Sequence, residues 1–109
     1  MEGLCTQLHD NGKILSEIMY ISGKKDGEAR YYDESGNLVR EAMFTKDILE
    51  GQEIVIYPDG GKQREFFYID GLEHGECYTY FKNGEVESVT EYVKGKIVKG
   101  PITYAQKSK

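Results

Sequence analysis

The sequence lacks tryptophan and long apolar runs, and it contains only two prolines and two cysteines. No segment approaches the ~20 apolar residues that a membrane-spanning helix needs. The chain begins without a basic segment followed by an apolar one, so we expect no signal peptide. Only 39% of the 109 residues are hydrophobic, while nine are Tyr and four are Phe. Tyr packs with its ring and keeps its hydroxyl in water, so this composition favours one domain built on a thin sheet.

The sequence also has no excess of basic over acidic side chains. The sequence holds 14 basic and 19 acidic side chains, a net charge of −5. Five lysines lie in residues 94–109, a segment without acids, so residues 1–93 carry nine basic and 19 acidic groups, or −10. Such a body repels phosphate groups, which argues against direct nucleic-acid binding and against a membrane partner. It suits a basic protein partner, although acidic surfaces also simply keep proteins soluble.

A 24-residue repeat dominates what is present. Eleven of the 13 glycines fall in columns at this spacing, and these columns mark predicted turns. The turn glycines are Gly12, Gly36, Gly60 and Gly84 in one column and Gly27, Gly51 and Gly75 in another. Two more columns form a predicted structural ladder of aromatic and aliphatic residues: Tyr20, Phe44, Tyr68 and Tyr92, and Tyr32, Ile56, Tyr80 and Tyr104.

Each repeat has the pattern of a β-hairpin. Apolar residues recur at every second position, as in a β-strand, and Asn11-Gly12 is a strong hairpin-turn signal. The sequence therefore predicts an all-β fold, an elongated antiparallel meander of about nine short strands built from 24-residue β-hairpin repeats. We place the repeats at 4–27, 28–51, 52–75 and 76–99, with a half-repeat at 100–105.

These repeats form a single predicted domain, residues 1–105, followed by a polar tail at 106–109. Five-residue turns at 23–27, 47–51 and 71–75 are expected to connect one hairpin to the next. The half-repeat contributes a last strand at 101–104.

The two cysteines, Cys5 and Cys77, are 72 residues apart and therefore share a column. If each repeat adds two strands spaced by roughly 4.8 Å, three repeats separate the pair by roughly 29 Å. A disulfide requires Cα atoms within about 7 Å, so we expect two thiols and a cytoplasmic protein.

Alternation along the strands assigns two faces. The predicted core face collects the even-numbered residues of both strands in each hairpin, including the ladder. The second face is also unusually apolar, and its candidates for partner binding are Met19, Met43, Phe67, Tyr31, Tyr57 and Phe81. Exposed apolar residues on a sheet mark either a docking surface or a face that sheet curvature covers, and the sequence leaves both interpretations open.

The two edges of the predicted sheet differ. Pro101 and the lysines before it, Lys94, Lys96 and Lys99, discourage a further strand from adding to the C-terminal edge. The N-terminal edge, residues 4–8, has no such protection and offers a route to a homodimer.

One column of acids resembles a catalytic pattern. Neighbouring carboxylates among Glu17, Glu41 and Glu65 are expected roughly 10 Å apart, near the separation in an inverting glycosidase. However, a repeat reproduces a surface Glu in every copy, and Arg40 and Arg64 lie nearby in sequence to offset the charge. We therefore favour a structural role for this column.

Other reactive residues are isolated from one another. His9 and His74 fall in different turns, where we expect both to be solvated, and no three or four metal ligands converge. Cys77 has no adjacent His to lower its pKa. We therefore expect no catalytic residue, no metal and no cofactor.

A common pattern links two copies of the repeat, through Tyr20, Gly23, Gly27, Glu28, Tyr31, Tyr32, Gly36 and Glu41 in one and Tyr68, Gly71, Gly75, Glu76, Tyr80 and Gly84 in the other. This pattern resembles the MORN repeat, and more narrowly the variant MORN repeats of small bacterial proteins, some of them antitoxins. The third copy departs from it at Asp47, Gln52 and Ile56, and the Trp often found after the second Gly is absent. The resemblance implies an elongated array of β-hairpins that binds proteins, and the motif contains no catalytic residue.

Together these features predict a non-enzymatic module that binds another protein. Its small size and acidic charge favour a stoichiometric inhibitor, such as an antitoxin, an immunity protein or a phage anti-defence protein, with a nuclease as a natural target. The alternative is a structural scaffold or oligomerisation module without an inhibitory role. A small enzyme is a third and weaker interpretation.

Overall fold

The computed structural model describes residues 2–106, which form one antiparallel sheet of eleven strands. The strands are β1 (Gly3–Leu8), β2 (Ile14–Ile21), β3 (Lys24–Tyr32), β4 (Leu38–Thr45), β5 (Ile48–Leu49), β6 (Gly51–Ile56), β7 (Lys62–Ile69), β8 (Leu72–Glu73), β9 (Gly75–Tyr80), β10 (Val86–Val93) and β11 (Lys96–Thr103). Nine of them follow one another across the sheet in chain order, while the two-residue strands β5 and β8 pair with β4 and β7. The predicted all-β meander of about nine strands is therefore confirmed.

The sheet is a single layer that measures 44 × 33 × 14 Å. The described residues contain no helix suited to crossing a membrane. Of the predicted polar tail, only Gln106 lies within the described residues.

Each hairpin turns where its first glycine column predicts. In the first hairpin His9 N donates to Lys13 O at 2.8 Å, Gly12 N donates to His9 O at 2.9 Å, and Asn11 Oδ1 accepts from Lys13 N at 2.9 Å. Gly12 has a φ of 86°, in the left-handed region that glycine adopts without steric cost. The glycines at 36, 60 and 84 share this conformation.

The predicted five-residue connecting turns are wrong. The chain reverses over two residues, Ser22 and Gly23, whose φ values of 52° and 81° are those of a type I′ turn. The same two-residue turn recurs at 46–47, 70–71 and 94–95. Gly27 instead lies inside β3, and Gly51 and Gly75 begin β6 and β9.

These three glycines mark a break in register. Beside Gly51, Glu41 and Phe44 are three positions apart on β4, whereas their partners Ile54 and Leu49 are five positions apart. The extra residues form a bulge, which turns the backbone of Gly51 to a φ of 93°. The glycine column therefore sets the pairing between repeats rather than the reversal of the chain.

The two-residue turn also decides which residues share a face. It pairs Ile21 with Lys24, so an odd-numbered residue of one strand lies opposite an even-numbered residue of the next. The prediction of one face built from even-numbered residues is therefore wrong. We call the side that carries all of the buried residues the packed face; these residues are Ser16, Ile18, Ala29, Ala42, Phe44, Glu53 and Cys77.

The predicted ladder is consequently split between the two sides. Tyr20, Phe44, Tyr68 and Tyr92 lie on the packed face, whereas Tyr32, Ile56 and Tyr80 lie on the opposite side, which we call the open face. The last ladder residue, Tyr104, follows the end of β11.

The packed face holds the small hydrophobic core. Ile18, Ala29, Ala42 and Phe44 form a buried cluster. Tyr20, Tyr31 and Leu49 pack against this cluster from the side. The core therefore lies in the first two repeats, and the later repeats extend the sheet from it.

Both edges of the sheet are open. β1 forms one edge and β11 the other. The predicted last strand at 101–104 is wrong in its bounds, because β11 already begins at Lys96. Lys96 and Lys99 therefore lie on the edge strand itself, where charge opposes the addition of a further strand.

Candidate protein-binding faces

The open face carries an apolar strip that runs across the repeats. Met19, Met43 and Phe67 keep 37%, 39% and 43% of their surface exposed. Curvature of the sheet therefore does not cover them. The strip, as we define it, consists of these three side chains and the exposed apolar residues beside them near the two-residue turns: Met19, Ile21, Met43, Ile48, Phe67, Ile69, Leu72 and Val93.

The other three predicted partner-binding residues lie elsewhere. Tyr31 is on the packed face, against the buried cluster. The Tyr57 hydroxyl donates to the Tyr80 carbonyl oxygen at 3.0 Å, which ties one hairpin to the next. Phe81 is half-buried at the start of a hairpin turn. Tyr31 and Tyr57 therefore contribute to internal contacts of the array, and none of the three side chains belongs to the strip.

A row of carboxylates borders the strip on the open face. Glu28 lies opposite Met43, and Glu76 lies opposite Glu91. The next row contains Glu17, Glu41 and Glu65, the column with the glycosidase-like spacing. Basic side chains on this face are Lys24, Arg30, Lys62, Lys96 and Lys99.

The glutamate column is held by protein groups. Glu17 accepts a hydrogen bond from the Tyr32 hydroxyl at 2.9 Å, and Glu65 accepts one from the Tyr80 hydroxyl. Glu41 lies opposite Ile54 and instead accepts from Arg30 Nε at 3.1 Å. Two tyrosines of the ladder on the open face, Tyr32 and Tyr80, therefore hold Glu17 and Glu65 of the preceding hairpins.

Electrostatics also argue against acid catalysis at Glu65. The Tyr80 hydroxyl, followed by Lys62 at 3.2 Å, holds the pKa of Glu65 below its ordinary value. A general acid at neutral pH needs the opposite shift. The column is thus suited to a structural role.

The packed face contains a charged cluster that sequence reasoning missed. Glu53 is 3% exposed and accepts from Arg40 Nε at 2.7 Å through Oε2. Its Oε1 accepts from the Tyr68 hydroxyl at 3.2 Å and lies 3.8 Å from Arg64 Nη2. Arg40 and Arg64 were expected to offset the glutamate column, but they lie on the opposite side of the sheet and face Glu53.

Aromatic rings support both guanidinium groups of this cluster. The Arg40 guanidinium lies 4.9 Å from the centre of the Tyr31 ring, and that of Arg64 lies 5.1 Å from the Phe66 ring. Burial, with the charge of Glu53 next in size, raises the pKa of Tyr68 to about 12. The cluster is therefore a line of alternating aromatic and charged groups across β3, β4, β6 and β7.

Comparison of the repeat columns would have revealed this cluster. Glu53 occupies a column that otherwise holds Cys5, Ala29, Cys77 and Pro101. Arg40 and Arg64 occupy another column, which begins with Ser16 and ends with Ser88. A buried acid and two arginines thus appear together only in the central repeats. To interpret this signal, one must know which residues pair across neighbouring strands and therefore share a face.

Outside this cluster, the reactive side chains of the described residues do not converge on a metal site or a disulfide. Within residues 2–106 no three His, Cys, Asp or Glu side chains are placed to hold a metal ion. No disulfide joins Cys5 and Cys77, both of which are described, and burial raises the pKa of the Cys77 thiol. His9 was expected to be solvated, but its ring Nε2 lies 2.9 Å from the Tyr32 carbonyl oxygen and ties the first hairpin to the second.

The described residues thus form a single-layer array of β-hairpin repeats with two extended faces. The family model for the MORN repeat variant matches residues 1–22, 25–46 and 73–94. The chain therefore belongs to the MORN repeat variant family, whose repeats generally bind proteins or membranes and are not known as catalytic. A search of curated proteins finds no match to the chain.

The matched segments leave out residues 47–72. This segment contains the divergent copy, with Asp47, Gln52 and Ile56 in place of the motif residues, and it also contains Glu53. Its strands β6 and β7 nevertheless pair as the other hairpins do. The third repeat therefore differs from the others in its side chains but keeps the same backbone pairing.

Proposed function

We propose that this protein is a non-enzymatic cytoplasmic module that binds another protein through the apolar strip of its open face and inhibits that protein stoichiometrically. The observation that carries the proposal is the exposure of Met19, Met43 and Phe67 in register across three hairpins. Apolar patches of this kind mark interaction surfaces on soluble proteins.

The dimensions of the sheet fit such an interface. A face of 44 × 33 Å exceeds the roughly 800 Å² that each partner contributes to a standard protein interface. Met and Phe are enriched at interface centres, and polar groups form the rim. Here the acidic row at Glu28 and Glu76 borders the strip.

The charge of the module supports a partner with basic groups beside its apolar contact. The chain carries a net charge of −5. Opposite charge on the partner would accelerate association and disfavour wrong partners. A nuclease has this chemistry, because its active cleft is basic. The choice of a nuclease rests on charge and on analogy with the family.

The direct experiment captures the partner from the host with the wild-type protein, identifies it by mass spectrometry and measures its dissociation constant. Met43→Ser and Phe67→Ser are expected to weaken binding by about tenfold or more. The matched control is Ile97→Ser, because Ile97 is 53% exposed but pairs with Tyr92 on the packed face. Equal losses in all three variants, or none, would contradict the open face as the interface.

Inhibition is tested by titrating the module into the purified partner. An inhibitor abolishes the partner's activity at a one-to-one ratio. A fully active partner in the saturated complex would refute inhibition and favour the scaffold.

The exposed edge strand favours oligomerisation as the second candidate function. Leu4 and Leu8 on β1 are both 58% exposed. Leu4→Lys with Leu8→Lys would place on this edge the charge that β11 already has. A wild-type dimer that this double variant converts to a monomer would support the homodimer, whereas a wild-type monomer at all concentrations would exclude it.

A further inference from the structure

We propose that Arg40 and Arg64 on the packed face form a binding site for a carboxylate, supplied by an acidic segment of a protein partner. The site lies on the opposite side of the sheet from the apolar strip. It does not rest on the proposed inhibitory function.

The first step of the argument is a surplus of positive charge. Around Glu53 the cluster contains two guanidinium groups and one carboxylate. Arg40 alone already makes a charge-assisted hydrogen bond with Glu53, at 2.7 Å. The Tyr68 hydroxyl occupies the other carboxylate oxygen. Glu53 is therefore satisfied without Arg64.

The second step concerns the unused donors of Arg64. Its closest approach to Glu53 is 3.8 Å, beyond hydrogen-bond distance, and its side chain is 45% exposed. Within residues 2–106 the Arg64 guanidinium makes an ion pair with Glu53 but no hydrogen bond. Arg40 donates only through Nε, and its side chain is 31% exposed. Two adjacent guanidinium groups thus retain donors that match the geometry of a carboxylate.

The third step is the setting of these donors. The rings of Tyr31 and Phe66 lie beneath the two guanidinium groups and exclude water from one side. The other charged groups that share the packed face are Lys25, at 5.0 Å from the Phe44 ring, and Glu73, paired with Tyr68. The centre of this face is therefore positive in a chain whose net charge is −5.

The overall charge selects among possible anions. A nucleic acid would bring about one phosphate every few ångströms against an acidic chain. A short acidic segment brings few charges, and its apolar residues can pack beside the aromatic side chains of this face. A protein segment with one or two Asp or Glu residues is therefore the occupant that the surface fits.

The test uses a capped glutamate-containing peptide, a matched peptide with Gln in place of Glu, and inorganic phosphate. Binding is measured by calorimetry, and the site is identified from the Arg64 Nε–H resonance in NMR. We expect the Glu peptide to bind and shift this resonance, and the Gln peptide to do neither. Arg64→Gln should weaken binding by about tenfold, the range of one charge-assisted hydrogen bond.

The matched control is Arg30→Gln, which makes the same charge change on the open face. It should alter the affinity for the Glu peptide by less than about twofold, because exposed charges on the far side are screened. Arg64→Gln leaves the Arg40–Glu53 pair intact, and its circular dichroism spectrum checks that the sheet is retained.

Four results would overturn the proposal. The first is no binding of the Glu peptide to the wild type, and the second is an equal loss of affinity in both variants. The third is a shift of the Arg64 resonance by phosphate at lower concentration than by the peptide, which would assign the site to a phosphate ligand. Self-association that Arg64→Gln abolishes would assign it to a second copy of this chain and overturn the proposal as well.

Discussion

Arg40 Nε donates a 2.7 Å hydrogen bond to Glu53 Oε2, and this pair joins β4 to β6 between the second and third hairpins. Glu53 is almost completely buried, whereas Arg40 reaches the surface. A buried acid stabilises a fold only while its counter-charge remains, since removing one partner leaves the other charge without a counter-charge.

We predict that Glu53→Ala lowers the free energy of unfolding by about 2 kcal/mol, less than for a fully buried pair because both arginines can hydrate. The double variant Arg40→Ser with Glu53→Ala should lose less than the sum of the single changes, because the preceding repeat already has Ser16 and Ala29 at these positions. Urea unfolding of the four proteins measures the coupling. Strictly additive losses would contradict the pairing, and Glu28→Ala, whose side chain is 59% exposed, is the surface control.

Alkaline pH should weaken the fold through Tyr68. Its pKa is raised to about 12, first by burial and then by Glu53, from an ordinary value near 10. Below about pH 10 both states keep the proton and the full contribution remains. Between about pH 10 and 12 the unfolded chain loses the proton first, so the free energy of unfolding falls as pH rises.

Tyrosinate absorbance and urea unfolding over this pH range check the prediction. The pKa of Tyr80 is also raised to about 12, so Tyr68→Phe should reduce the pH dependence rather than remove it. If Tyr68→Phe leaves the slope of the free energy of unfolding against pH unchanged, burial and Glu53 do not raise the pKa of Tyr68 as described.

The sequence predicted the backbone of this fold better than its faces. The glycine columns and the apolar alternation sufficed for the strands and for the turn at Gly12. The faces depended on which residues pair across neighbouring strands. Between hairpins this pairing follows from the length of the connecting turn, and within each hairpin it follows from a register shift beside the hairpin turn. Ser22-Gly23 gives no strong sequence signal because Ser seldom takes a positive φ. Misjudging the equivalent turn at 46–47 separated Arg40 from Glu53, although each appears in the repeat columns.

Gly51 provides a test of the bulge that the sequence mistook for a turn. Its φ of 93° is costly for any residue with a Cβ, although an added Cβ would find ordinary space at 3.6 Å from Met43 Cβ. We predict that Gly51→Ala lowers the free energy of unfolding by about 1 kcal/mol or more, from backbone strain alone.

Gly61 is the matched control for Gly51. It has no positive φ, and an added Cβ would meet Asp59 Oδ1 at 3.5 Å and Lys82 O at 3.8 Å, both ordinary contacts. Gly61→Ala should change the stability by less than about 0.5 kcal/mol or increase it slightly. Equal effects of the two substitutions in thermal and urea unfolding would contradict a bulge that depends on Gly51.

The open-face tyrosine clamp predicts the acid response of Glu65. The Tyr80 hydroxyl is the main cause of the lowered pKa of Glu65, whose ordinary value is 4.5. A lowered pKa in the folded state gives stability that is present above pH 4.5 and is lost as pH falls through the folded value. We predict that Tyr80→Phe moves the pKa of Glu65 up toward 4.5 and shrinks this acid-sensitive part of the stability.

NMR titration of the Glu65 carboxylate measures the shift directly. Tyr78→Phe is the matched control, because the Tyr78 hydroxyl donates to Glu76 at 3.0 Å on the same face. It should leave the pKa of Glu65 low, since Lys62 and Tyr80 both remain in place. A Glu65 pKa that is the same in wild type and Tyr80→Phe would mean that the Tyr80 hydroxyl does not lower this pKa. The carboxylate would then be held by Lys62 and by the Gln52 amide, which donates to it at 2.9 Å, and the tyrosine would contribute packing only.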